Sequence, residues 1–360
     1  MVTATLESHS LPNFHQSAAS MTKKRKNPRS SRKPPTTPSK TASSGSVERE
    51  LVVLLEPAAG VQAKNAALSA PDDSLVHGVN EVLARYSATI RPLFGSHEMR
   101  LVADVARVAE QGGPASDIPR YYRVEAADDQ LDLLAEALRS QSAVKAAYIK
   151  PPAALPVLND MVPFSDESPP VTPDYSSRQG YLAAAPGGID ARYAWTIPGG
   201  RGDGARVIDI EGAWLFSHED LLENQGGIVG GSPSPDVAWR NHGTAVVGAI
   251  GGDANSRGIT GIAPNANQRA ISVFGGSGSA KAIKDAADIL NPGDIILIEL
   301  HRPGPRFNFQ LRDDQRGYIA IEWWPDDFDA IRYAIGKGVI VVEAGGNGTA
   351  SAHSWAMQAG

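Results

Sequence analysis

Arg206-Val207-Ile208-Asp209-Ile210-Glu211-Gly212, followed further along by Asn241-His242-Gly243-Thr244-Ala245-Val246-Val247-Gly248, carries the reading of the fold. The first stretch is a short apolar strand that holds an acid and closes on a glycine. The second opens a helix of small residues. Outward from them, Ala270-Ile271-Ser272-Val273, Asp294 to Leu300 and Val339 to Val342 are further apolar runs. They alternate with helical stretches at Thr244 to Ile250 and Asp326 to Gly336. Apolar runs separated by helices predict an α/β unit, a parallel sheet covered on both faces. Residues 180–360 are assigned to it.

Upstream, prolines recur from Pro151 to Pro173 without periodicity, which marks residues 153–179 as a linker. Residues 48–152 alternate strand and helix signals. Leu51 to Leu55 is an apolar run, and Leu75, Val76, Val79, Val82 and Leu83 share a helical face. Ile90 to Phe94 and Tyr121 to Val124 read as strands. A helix capped at Asp128 or Asp129 carries Leu131, Leu134 and Leu138, and Val144 to Ile149 is a last strand. The order βαββαβ predicts a small α+β, ferredoxin-like domain. Residues 1–46 are rich in Ser, Thr, Pro and Lys and read as a disordered tail.

The formal charge of −6 divides unevenly: residues 1–46 hold eight Lys/Arg against Glu7, leaving −13 on the remainder. The run Lys23-Lys24-Arg25-Lys26 suits nucleic acid, but a solvated tail is the plainer reading, so nucleic acid is an unlikely partner. Cysteine is absent, which excludes disulfides, thiolate metal sites and a cysteine nucleophile. No run approaches the roughly 18 apolar residues of a membrane span, and no signal peptide is visible in the first twenty residues. The compartment is left open.

Functional groups of open α/β sheets gather beyond the carboxyl ends of the strands. Asp209 is read as the residue at which a strand becomes a loop, His242 as the start of a helix, and Asn347 as the residue after the most β-branched run, within Glu343-Ala344-Gly345-Gly346-Asn347-Gly348. Singly, these read as a cap, a surface polar group and a turn. Together, in the order acid, base, amide donor, they supply three parts of an acyl-transfer site.

At these residues the chain resembles the subtilisin-like serine peptidases, over roughly residues 180–355. Val207-Ile208-Asp209 resembles that family's catalytic aspartate strand, and Ser217-His218-Glu219-Asp220-Leu221 its following segment. Asn241 to Gly248 resembles its histidine helix, Gly261-Ile262-Ala263-Pro264 its Gly-Val-Ala-Pro turn, Asp294 to Leu300 its substrate-lining strand, and Val341 to Gly348 its oxyanion segment. The resemblance implies a three-layer catalytic domain and peptide-bond hydrolysis of polypeptide substrates. It also implies that residues 48–152 are a propeptide that partners the domain as an inhibitor in a zymogen. Asp209 would orient His242 from roughly 2.6–3.2 Å, His242 would act as base, and Asn347 would donate to the oxyanion, a contact worth roughly 3–4 kcal/mol in a subtilisin. Glu299, Leu300 and His301 would line the substrate. Structural Ca²⁺ is common in the family, but no residue here identifies a metal site, and no other cofactor is implied. Family members are often secreted.

Three departures stand out. Glu211 adds a carboxylate that either tunes the site or faces water. Glu299-Leu300-His301-Arg302 places larger charged groups on the substrate surface where Ser-Leu-Gly-Gly is usual. Glu343 adds another acid. The family's nucleophile lies well beyond the oxyanion asparagine, whereas thirteen residues follow Asn347, the last of them Gly360, so the catalytic domain is expected to be incomplete. Ser351 is read as a loop serine, and a chain without the nucleophile as inactive. The rival readings are a pseudoprotease binding module and a nucleic-acid-associated protein. Arg201-Gly202-Asp203 reads as a turn, and Gly275 to Gly278 lacks the Lys of a phosphate loop. Propeptide cleavage is expected between Pro151 and Gly188.

Overall fold

The computed structural model describes residues 48–57, 60–95, 98–156, 172–276 and 278–347. The basic tail and Ser351 lie outside them. Strand β1 (Glu50–Leu55) is followed by a hairpin of β2 (Gln62–Lys64) and β3 (Ala67–Ser69), then by α1 (Ser74–Arg85), β4 (Thr89–Pro92) and α2 (Glu98–Glu110). Next come β5 (Tyr121–Glu125), α3 (Leu131–Arg139) and β6 (Val144–Lys150). Their sheet has the order β4-β5-β1-β6 with every neighbouring pair antiparallel. The βαββαβ order is present, with the hairpin and α2 added to it. Val76, Val79, Val82 and Leu83 are buried as the helical periodicity requires, but Leu75, on the same predicted face, is exposed.

Strand β1 is buried along its whole length, which explains the apolar run Leu51 to Leu55 after Glu50. Leu51, Val53 and Leu55 pack with Val79, Leu134 and Leu138 beneath α1 and α3. Val52 and Leu54 face the other way and join a second core that contains residues of α6 (Gly278–Ile289) and α7 (Pro325–Gly336). Residues 48–152 therefore share one apolar interior with the elements downstream.

The second sheet is parallel, in the order β13-β10-β7-β9-β8, built from β7 (Arg206–Glu211), β8 (Gln225–Gly230), β9 (Asn267–Ser272), β10 (Ile295–Ile298) and β13 (Ile340–Glu343). Ile208, Ile210, Ile296 and Ile298 point to α6 and α7. The opposite face meets α5 (Val237–Gly251), where Val247 packs on Ala270. A four-residue helix, α4 (Ala191–Ala194), precedes this sheet, and β11 (His301–Pro303) pairs with β12 (Tyr318–Ala320) beyond β10.

The first sheet also meets α7 through a buried ionic cluster. Lys150 Nζ lies 2.6 Å from Asp326 Oδ2 and 2.7 Å from Asp327 Oδ2, with all three side chains shielded from water. Tyr148 donates to Asp326 (3.0 Å) and Tyr121 to Asp329 (2.9 Å). Arg302, expected on an open substrate surface, is buried here instead. It donates to the Pro151 carbonyl and, at 3.0 Å, to Ser279 Oγ, and it stands 3.7 Å from Glu50.

Candidate active site

Strand β7 runs two residues past Asp209 and ends on Glu211. Residues two apart on a strand share a face, so both carboxyl groups look toward α5, with Glu211 nearer the carboxyl edge. Gly212 follows because α5 sits close: a Cβ there would meet the Trp239 ring at 2.3 Å. Helix α5 begins at Val237, with Asp236 Oδ1 accepting from Ala238 N at 2.8 Å as its cap. His242 thus lies in the second turn, not at the helix start. The next residue, Gly243, lets the helix approach the 213–214 backbone, since a Cβ there would stand 2.4 Å from the Ala213 carbonyl oxygen.

His242 Nδ1 is 3.0 Å from Glu211 Oε1. Asp209, expected to hold the histidine, instead accepts from Trp214 Nε1 at 2.7 Å through Oδ2. The reason is strand length: Asp209 sits inside β7, beneath Glu211, and the longer acid one step further along the same face reaches the ring first. The sequence carried that signal in Gly212, the break that fixes the strand end after Glu211.

Burial pushes the Asp209 carboxyl well above its ordinary value, reinforced by the neighbouring Glu211. Burial, together with Glu299, pushes Glu211 up to about 9. Glu299, raised by its own burial, faces the same histidine. Burial lowers His242, opposed by Glu299, Asp209 and a hydrogen bond to the Pro156 carbonyl.

The residues expected to line substrate are placed as follows. Glu299 N reaches back to the Ile210 carbonyl at 3.4 Å, which sets its side chain beside the Glu211 and His242 pair. Leu300 is a core residue. His301 is buried against Tyr318, ring centroids 4.8 Å apart. Its backbone pairs antiparallel with Ala154: Ala154 N donates to His301 O at 2.9 Å, and His301 N donates back at 3.2 Å. His301 Nε2 lies 3.1 Å from the Leu155 carbonyl, which also accepts from Gln315 Nε2 at 2.7 Å. The segment Ala153 to Leu155 therefore lies along this strand, and the carbonyl of the next residue, Pro156, raises His242. Gln315 and Pro156 had no sequence signal, since both are brought here by long-range packing.

Asn347 also converges on this place. Its backbone N donates to His301 Nδ1 at 3.3 Å, and its Nδ2 donates to Gln315 Oε1 at 2.8 Å. Among the described residues, no group of three or more His, Asp or Glu is arranged to hold a metal ion. Asp220, a buried carboxylate of the 217–221 segment, accepts from Ile259 N (2.7 Å) and Asn255 Nδ2 (3.1 Å).

No family model matches the chain. Among curated proteins it is 32% identical over 186 residues to thermitase of Thermoactinomyces vulgaris, covering 49% of this chain and 58% of that protein. It is 29% identical over 159 residues to an alkaline protease of Alkalihalobacillus alcalophilus (43% and 37%), and 28% over 159 residues to subtilisin Savinase of Lederbergia lenta (43% and 52%). The chain is subtilisin-like. It spans between 37% and 58% of the length of these relatives. Fervidolysin of Fervidobacterium pennivorans, a keratinolytic enzyme related to subtilisin, aligns over 85% of this subtilisin-like chain and 40% of its own, at 16% identity and a TM-score of 0.45.

Proposed function

We propose that the protein is a serine endopeptidase in which Glu211 orients His242, made as a zymogen whose ferredoxin-like domain, residues 48–152, is the inhibitory propeptide. Residues 153–179 link it to a catalytic domain that begins near residue 180. The observation that carries this reading is the Glu211 and His242 hydrogen bond at the carboxyl edge of a parallel sheet, with a peptide carbonyl, that of Pro156, against the same ring.

Nδ1 faces Glu211, and in this reading the ring proton sits on the other nitrogen, toward the Pro156 carbonyl. Nδ1 then accepts from Glu211, whose carboxyl keeps its own proton at neutral pH. The ring is then not a base. Loss of one proton from the pair moves hydrogen to Nδ1, leaves Glu211 as a carboxylate and frees Nε2. That nitrogen takes the proton of a serine hydroxyl and returns it to the leaving amine, while Glu211 stabilises the imidazolium. Asn347 supplies the oxyanion donor once its Nδ2 leaves Gln315. Burial beneath Glu211 raises Asp209 well above its ordinary value, which disfavours a second negative charge under the pair.

The test is labelling of the full-length protein with a serine-directed phosphonate, beside turnover of a broad peptide substrate. Labelling of one serine, with turnover lost in His242→Ala, is the expected outcome. Neither labelling nor turnover would favour the binding-module reading.

A further inference from the structure

Ala154 and His301 exchange both backbone hydrogen bonds, so the next residue, Leu155, falls at a place of the antiparallel ladder where no backbone bond is made across. Its carbonyl is nevertheless held, by His301 Nε2 at 3.1 Å and Gln315 Nε2 at 2.7 Å. Asn347 sets both of these donors. Its backbone N donates to His301 Nδ1 at 3.3 Å, so that nitrogen accepts. Burial keeps the ring neutral by lowering it to about 4, and its one proton then sits on Nε2, toward the carbonyl. Asn347 Nδ2 donates to Gln315 Oε1 at 2.8 Å, which turns Gln315 Nε2 to the same carbonyl. Both side chains are buried, His301 on β11 and Gln315 in the loop between β11 and β12. Gln315 makes its contact from a left-handed backbone, φ 48°. A residue with a Cβ is disfavoured there and persists where its surroundings over-determine it.

We propose that His301 and Gln315 form a subsite for a main-chain carbonyl, by which the cleft takes an extended peptide lying as residues 153–155 lie and grips the acceptor that the ladder leaves out. The proposal rests on the peptidase reading above. The clasp reads the peptide backbone, so it adds affinity without selecting a side chain at that position. Departure of Asn347 Nδ2 from Gln315 leaves the His301 donor in place, because the Asn347 backbone sets that ring.

The experiment measures inhibition of the mature form of the full-length protein by the peptide Pro-Ala-Ala-Leu-Pro, the sequence of residues 152–156. A second peptide carries sulfur in place of the leucine carbonyl oxygen, which makes it a weaker acceptor. The thioamide should inhibit roughly three- to tenfold less well, the worth of one neutral hydrogen bond. Gln315→Met keeps the length of the side chain and removes the donor, so the parent peptide should lose a similar factor and the gap between the two peptides should narrow. Equal inhibition by the two peptides or none by either in the wild-type enzyme, or an undiminished gap in a Gln315→Met enzyme that still takes the phosphonate, would overturn this inference alone. The wild-type comparison decides by itself if the variant does not fold. Absence of labelling and of turnover in the wild-type protein would overturn the peptidase reading and this inference with it.

Discussion

Glu211 Oε1 meets His242 Nδ1 at 3.0 Å, while Asp209 Oδ2, two residues earlier in the same strand, meets Trp214 Nε1 at 2.7 Å. The two acids thus have different partners. Glu211→Gln should lower kcat by about 10³ to 10⁴, the scale of loss when the orienting carboxylate of a serine-protease triad is amidated. Asp209→Asn keeps an acceptor for Trp214 Nε1 at a carboxyl that burial raises well above its ordinary value, and should cost less than about tenfold. Steady-state kinetics of both variants check this; equal losses would return Asp209 to the role first expected of it.

Glu299 raises both Glu211 and His242 by its charge. Removing that charge loosens the proton the pair must lose to form the base. Glu299→Gln should therefore shift the rising limb of the kcat/KM profile to lower pH, measured on the mature enzyme. A limb that moved upward would show that Glu299 does not act on the pair through its charge.

Gly243→Ala sets a methyl group against the Ala213 carbonyl oxygen, where the backbone has no give. The helix must retreat, at a cost of about 1–3 kcal/mol for overpacking, and His242 moves with it. Urea unfolding should show the destabilisation and kinetics a loss of turnover out of proportion to it. Gly248→Ala, whose Cβ would meet only Ile259 at 3.5 Å, is the control within the same helix.

Lys150 is the buried cation between the Asp326 and Asp327 carboxylates. Lys150→Ala should destabilise the unprocessed protein, held intact by His242→Ala, by about 3–5 kcal/mol. The sign of its pH dependence follows from Asp327, which burial already raises to about 6. A raised carboxyl favours the folded state below its unfolded value, and that advantage is lost as pH rises through the folded value. Without Lys150 the advantage of protonation grows, so the deficit should be larger at pH 8 than at pH 4.5. Urea midpoints at the two values decide it.

The α/β character of residues 180–347 was legible because a parallel sheet covered on both faces must be written as short apolar runs between helices, and β7, β9 and β13 are such runs. His242 was legible for a similar local reason, since a histidine followed by Gly243 in a small-residue helix marks a close approach. Which acid meets it was not. Asp209 and Glu211 lie on one face of one strand, and only the depth of α5 along β7 selects between them. Nor could sequence place Arg302 and Lys150 in a shared interior or bring Pro156 to the histidine. Those positions depend on how two sheets dock and where a connecting segment is laid. Local periodicity determined the elements of this protein; contacts between residues more than a hundred positions apart, such as Lys150 with Asp326 and Leu155 with His301, decided its site.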